Sequence, residues 1–329
     1  MNFRTQVDIP QSPLRMNHKQ QHILLGSCFA ENIGRLLLDN KFEIEMNPFG
    51  IVYNPMSAAK IINMLLDEYP FSEKDILHDK GLYFSLMHHG EFSESDPQAY
   101  LDKIRYSARR SASRVREMDN LLVTFGTAYT YSWKQTGQIV NNCHKLPASL
   151  FERKRLSFEE IVEEWSALIH RLLAIRPEMN FLFTVSPIRH WKDGAHENQL
   201  SKSILLLAID ELQRSFPSQV FYFPSYELIL DELRDYRFYA EDMIHPNDTA
   251  IGYCWKKFSE TYFDDETNRL IARWQPLFKA IAHRPFRLEN AEHQVFLKKT
   301  LDKLWIFAND YPYLNCNKEI DQIKSYILE

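Results

Sequence analysis

The chain has 329 residues, 45% of them hydrophobic, which is enough to bury a sizeable core in one large α/β domain with additions or in two smaller domains. Its 39 basic and 44 acidic residues are interspersed and leave a formal net charge of -5, so composition argues against nucleic-acid and anionic-membrane partners. The short runs "ARRSASRVRE" and "KKF" read as solvated helix faces rather than phosphate-binding patches.

The amino terminus, "MNFRTQVDIPQSPLRMNHKQQ", carries no apolar signal core, and no later segment approaches ~18 consecutive apolar residues. The expectation is a cytoplasmic protein without membrane insertion. A first strand is predicted at "HILL" (22–25), followed by the turn "GSCFAEN" and a helix over 30–42 with Ile33, Leu36 and Leu37 on one face. A second strand is predicted at "EIEM" (43–46). Residues 70–120 then form a long excursion containing "GLYFSLMHHGEFS" and the helical pattern "DPQAYLDKIRYSARRSASRVREM". Its Tyr83, Phe84, His88, His89 and Phe92 are read either as a lid that selects substrate or as ordinary packing.

Strands three to five are predicted at "LLVTF" (121–125), "FLFTV" (181–185) and "VFYF" (220–223). They are continuous apolar runs, as strands covered on both faces require. Helices are predicted between and after them: 157–175, opened by the capping-box pair Ser157 and Glu160, then about 198–215, and 249–263 after Pro246. Strand alternating with helix is the pattern of a doubly wound parallel sheet. Residues 266–329 read as a helical appendage, with Trp274, Phe278, Ile281, Phe296, Leu301, Leu304 and Trp305 as packing candidates. It would pack on the domain 1–265 or mediate homo-oligomerisation.

Ligands of open α/β sheets bind outside the carboxyl ends of the strands. The loops to search are therefore "GSCFAEN", "NPFGIVYNP", "GTAYTY", "SPIRH" and "YAEDMIHPND". Ser27 sits where a strand turns into a helix, which suits either an N-cap or a nucleophile. A serine nucleophile needs a base held in one tautomer by an acceptor. Asp242 and His245 in "DMIHPN" are three residues apart on a turn and supply that pair. Cys28 is an alternative nucleophile if the helix start lowers its pKa. The four cysteines, Cys28, Cys143, Cys254 and Cys316, lie apart without a C-x-x-C pair and suit a reducing compartment. Cys254 and Cys316 read as small buried hydrophobes. His88, His89, His144, His190, His196 and His245 show no metal-ligand spacing. Neither phosphate-binding glycine loops nor the G-x-S-x-G elbow occur, so no metal and no cofactor is expected.

The strings "GSCFA" (Gly26 to Ala30), "NPFGIVYNP", "NCHKLP", "TVSPIRH", "SKS" and "YFPSYELILDELRDYRFYAEDMIHPN" occur in order between about residues 20 and 260. On them the chain resembles the GSCFA family, which belongs to the SGNH, or GDSL-like, hydrolase superfamily. The resemblance implies a flavodoxin-like three-layer α/β/α sandwich with a five-stranded parallel sheet, and hydrolysis of an ester or acyl bond. It implies Ser27 as nucleophile, Asp242 as orienting acid and His245 as base. It also implies oxyanion donors from the serine N–H, from a glycine N–H, for which Gly50 is the natural counterpart, and from an asparagine in a G-x-N-D block. Here that block reads "FGTAYTY", with Ala128 in the asparagine's place, so Thr127 or Asn142 is the candidate replacement. His144 and His88 are placed with the substrate-binding residues.

The reading is a serine hydrolase acting on a small-molecule or carbohydrate ester. An acyltransferase with the same triad and a non-catalytic acyl- or carbohydrate-binding module are the alternatives.

Overall fold

The computed structural model describes residues 4–283 and 290–327. The ends of the two expected units at 1–3 and 328–329, and positions 284–289 of the appendage, lie outside the described residues. Five parallel strands form the centre: β1 (Gln21–Leu25), β2 (Glu43–Met46), β3 (Asn120–Phe125), β4 (Asn180–Val185) and β5 (Val220–Tyr222). Their spatial order is β5-β4-β3-β1-β2, the flavodoxin-like order, in which the chain reverses its direction of winding between β1 and β3. Every strand begins and ends within one residue of its predicted segment.

Six helices flank the sheet: α1 (Cys28–Asp39), α2 (Pro55–Leu66), α3 (Pro97–Glu117), α4 (Phe158–Ile175), α5 (Gly194–Ser215) and α6 (Asp248–Tyr262). Side chains alternate between the two faces of a strand. Leu121, Val123 and Phe125 of β3 accordingly join one apolar cluster with α2, α3, α4 and α5, while Leu122 joins the other with α1 and α6. The result is a three-layer α/β/α sandwich. Local signals place the helix starts: Ser157 and Glu160 form both bonds of a capping box on α4, and Asn54 and Asn247 cap α2 and α6.

Of the two readings of the excursion over 70–120, lid or packing, packing describes Phe84, His88 and Phe92. Its helix, α3, is a crossover helix of the sandwich, burying Tyr100, Ile104 and Val115 against the sheet layer. Phe84 and His88 are buried and Phe92 packs against the same cluster. Apolar side chains that can be covered by a sheet face gain more there than at a solvent-exposed flap. A second inserted element was not foreseen: between β3 and α4 the chain forms an antiparallel sheet of Tyr129–Trp133, Ile139–Val140 and Phe151–Arg155.

Beyond α6 lie α7 (Asp265–Ala282), α8 (Ala291–Asp310) and α9 (Asn317–Tyr326), which share an apolar cluster around Trp274, Leu304, Phe307 and Ile320. Trp274 donates its indole N–H to the Asp39 carbonyl at 2.6 Å, and Lys41 pairs with Glu319 at 2.6 Å. These bonds hold the three helices against the carboxyl end of α1. Phe296 and Trp305, expected to pack, are instead 40% and 44% exposed. Among the described residues no helix is long and apolar enough to cross a membrane.

Candidate active site

The turn after β1 is built by close packing. A Cβ at Gly26 would lie 2.7 Å from the Thr124 Cβ and 2.8 Å from the Ala30 Cβ, so only glycine lets α1 start this near β3. Asn47 fastens the turn: its side-chain oxygen accepts the Gly26 N–H at 2.9 Å, its amide donates to Glu31 at 3.3 Å, and its own N–H reaches the Leu24 carbonyl at 2.8 Å. Ser27 occupies the N-cap position of α1, yet its side chain makes no capping bond. The hydroxyl instead donates to Ser186 Oγ, 3.3 Å away at the carboxyl end of β4. The Ser27 N–H has no partner among the described residues, as expected of an orphan donor at a helix start. The question raised by the sequence is thus answered locally: Ser27 makes the turn without using its hydroxyl to do so.

Asp242 and His245 form a self-contained turn. Asp242 Oδ1 accepts the N–H groups of Ile244 and His245, both at 2.9 Å, and Oδ2 faces His245 Nδ1 at 2.5 Å. Those backbone bonds first, and then the imidazole, hold the Asp242 carboxyl down at about 2. An ionised carboxylate only accepts, so the proton of Nδ1 lies toward Asp242, and in the neutral ring Nε2 is the nitrogen that holds the lone pair. The two side chains are each 47% exposed.

Ser27 and His245 face one cleft of about 650 Å³. All five strand-end loops contribute to it, through Ser27 and Cys28, Tyr53 and Asn54, Thr127, Ser186 to His190, and Ile244 and His245. The opposite wall is the antiparallel sheet, with Tyr129, Tyr131 and Arg153, and the loop Asn141 to Leu146; no residue of 70–120 lines the cleft. A second cleft of similar size, about 640 Å³ between α2 and α3, is remote from these residues.

The oxyanion candidates separate. Gly50 does not stand ready as a donor: its N–H is bonded to the Asn47 carbonyl at 2.7 Å, and the loop reaches the cleft only three residues later, at Tyr53. Thr127 lines the cleft, but its N–H goes to the Tyr53 carbonyl and its hydroxyl to Ser201 at 3.2 Å. Asn142 also lines the cleft. Its side-chain oxygen accepts the His144 N–H at 2.8 Å, which fixes the amide orientation, and its NH₂ has no partner among the described residues. His88 and His144 fall outside the lining. His88 is buried, stacked on Phe49 at 4.3 Å and bonded to Ser85 at 2.6 Å; burial, then His144, pushes it down to about 3. His144 donates Nε2–H to the carbonyls of Ser85 and His88 at 2.9 and 3.0 Å, which pins the Asn142 loop in place. Cys28 shares the cleft, but burial raises its thiol pKa, contrary to the activation expected at a helix start.

Sequence reasoning passed over two residues under the site. Ser186 lies within "TVSPIRH" but was not singled out. Lys202, in "SKS", is fully buried and donates to the carbonyls of Gly126 and Ser186, each at 2.6 Å. It ties the ends of β3 and β4 together directly beside Ser27's partner. Burial first, then the Arg189 charge, pushes its ammonium down to about 7. A lysine followed and preceded by serine on a helix carries no local signal of burial; only the apolar stripe at Leu205, Ala208 and Ile209 hints at it. Among the described residues no group of three or more His, Cys, Asp or Glu side chains is arranged to hold a metal ion.

A family model described as "GSCFA family" matches residues 21–258, and another, "GSCFA domain protein, C-terminal domain", matches residues 274–329. The first spans the sandwich from β1 to Phe258 within α6, and every residue of the cleft. No curated protein matches the chain.

Proposed function

The chain belongs to the GSCFA family, and from that premise we propose that it is a serine hydrolase of SGNH type, cleaving an ester or acyl bond of a small-molecule or carbohydrate substrate. The observation that carries the reading is the non-capping Ser27 hydroxyl, which shares a cleft with the free Nε2 of a carboxylate-held imidazole. Ser27 Oγ attacks the carbonyl carbon while His245 Nε2 takes its proton. The tetrahedral intermediate collapses, and the departing alcohol or amine leaves with that proton. Water then repeats the sequence on the acyl-serine, again through His245, and frees the acid. The Ser27 N–H and the Asn142 NH₂ are the groups available to the oxyanion. An acyl acceptor other than water would make the same site a transferase.

The engaged Gly50 N–H and the pairing of the Ser27 hydroxyl with Ser186 favour a second reading, a binding module on the same fold. The test is labelling by a fluorophosphonate probe together with turnover of p-nitrophenyl acetate. The hydrolase reading expects Ser27 to be labelled and Ser27→Ala to abolish turnover with thermal stability nearly unchanged. Unlabelled protein that binds ligand, or turnover surviving in Ser27→Ala, rejects it.

A further inference from the structure

The cleft carries a charge at odds with the chain that surrounds it. The protein is net -5, yet the acidic and basic side chains lining the cleft, histidines aside, are Lys145, Arg153, Arg189, Lys192 and a lone carboxylate, Asp193. That carboxylate is already taken by Arg153, which also stacks on Tyr129 at 3.8 Å. Lys192 donates to the Tyr131 hydroxyl at 2.8 Å. Arg189 is half-buried and makes no hydrogen bond or ion pair with any described residue; its guanidinium lies 5.9 Å from the Trp191 ring, and its charge acts on Lys202, Tyr226 and Tyr239. A guanidinium has five donors in a planar fork that matches the oxygens of a carboxylate or phosphate. Holding it partly desolvated beside other cations and without a counter-ion is unfavourable unless something anionic arrives. Arg189 is three residues from Ser186, whose hydroxyl accepts that of Ser27, so the unfilled fork and the candidate nucleophile belong to one cleft.

We propose that the ligand of this cleft is an anionic ester, whose carboxylate or phosphate is received by Arg189, with Lys192 and Lys145 adding to the attraction. The part of this inference that concerns turnover rests on the hydrolase reading; the part that concerns binding does not. A charged group fixed there would orient the scissile carbonyl toward Ser27, and the positive field of a confined cleft would draw such substrates in preference to neutral ones.

The test compares two matched pairs of esters, p-nitrophenyl acetate with mono-p-nitrophenyl succinate, and 1-acetylglycerol with 1-acetylglycerol 3-phosphate. The proposal expects one anionic member to exceed its neutral partner in kcat/KM by about tenfold or more, the scale of a charge-assisted hydrogen bond. Arg189→Ala should collapse that ratio and Arg189→Lys restore part of it. The pair that responds tells carboxylate from phosphate. Independently, the dissociation constant of the unreacted anionic ester is measured in Ser27→Ala and in the Ser27→Ala, Arg189→Ala double variant. Arg189-dependent binding with no turnover of any ester would sustain the anion site and reject the hydrolase. Equal kcat/KM ratios in wild type and Arg189→Ala, with equal dissociation constants in the two Ser27→Ala proteins, would overturn the anion site whatever the hydrolase result.

Discussion

At Ser27 the backbone is fixed by packing: Gly26 is pressed between β3 and α1, Asn47 ties the turn from the next loop, and the serine is 2% exposed. At His245 the geometry is fixed by four residues of chain, since Asp242 bonds the N–H groups of the same turn as well as the imidazole, in a side-chain pair that is nearly half exposed. A nucleophile placed by the core is preorganised at the expense of tolerance to substitution around it. On the proposed reading, the base His245 is placed by a surface turn, whose local bonds to Asp242 set its tautomer and orientation independently of the core. In the structure Ser27 is bonded to Ser186 and not to the imidazole, which fits a base that engages as substrate enters.

The largest effect that would break this contrast belongs to the exposed partner. His245→Ala is expected to lower kcat by about 10²–10⁴-fold while changing unfolding free energy by no more than about 0.5 kcal/mol, as at other exposed positions. Denaturant titration beside steady-state kinetics measures both. A clear loss of stability would mean that the turn is part of the core after all. Next in size is Asn142→Leu, expected to cost about 10²–10³ in kcat if its free amide is the side-chain donor to the oxyanion. Unchanged kcat would transfer that role elsewhere.

The smallest effect concerns the buried side. Lys202 has a folded pKa of about 7 against an ordinary 10.5. Between these values the unfolded chain holds a proton that the folded chain has released, so this group adds stability as pH rises from about 7 toward 10.5. Below about pH 7 both states are protonated, the cost of the buried charge is present in full, and this group adds no slope. Comparing unfolding free energies of wild type and Lys202→Met across pH 6 to 10 isolates the slope, because the cysteines and tyrosines contribute equally to both proteins. Parallel curves would refute a displaced Lys202.

The strands were readable because buried parallel strands need unbroken apolar runs, and "FLFTV" and "LLVTF" have no other reading. The pairing of Asp242 with His245 was readable because its bonds lie within one turn. Gly50 misled because sequence shows which residue lacks a side chain, not which N–H is already bonded; the Asn47 carbonyl takes it. The wall at Phe151–Arg155 escaped because "FERKR" is one apolar residue followed by four exposed ones, a pattern also given by a loop. Lys202 and Arg189 depended on which distant segments meet them, and no window of sequence contains that information.

The cleft has two walls of different origin. One is made of strand-end loops belonging to the sandwich itself; the other, residues 129–155, is a separate antiparallel sheet inserted between β3 and α4. On the hydrolase reading, the groups proposed for chemistry stand on the sandwich and much of the surface that would meet a ligand stands on the inserted sheet, so substitutions at Tyr129, Tyr131 or Arg153 are expected to alter ligand preference while leaving the Ser27 turn intact.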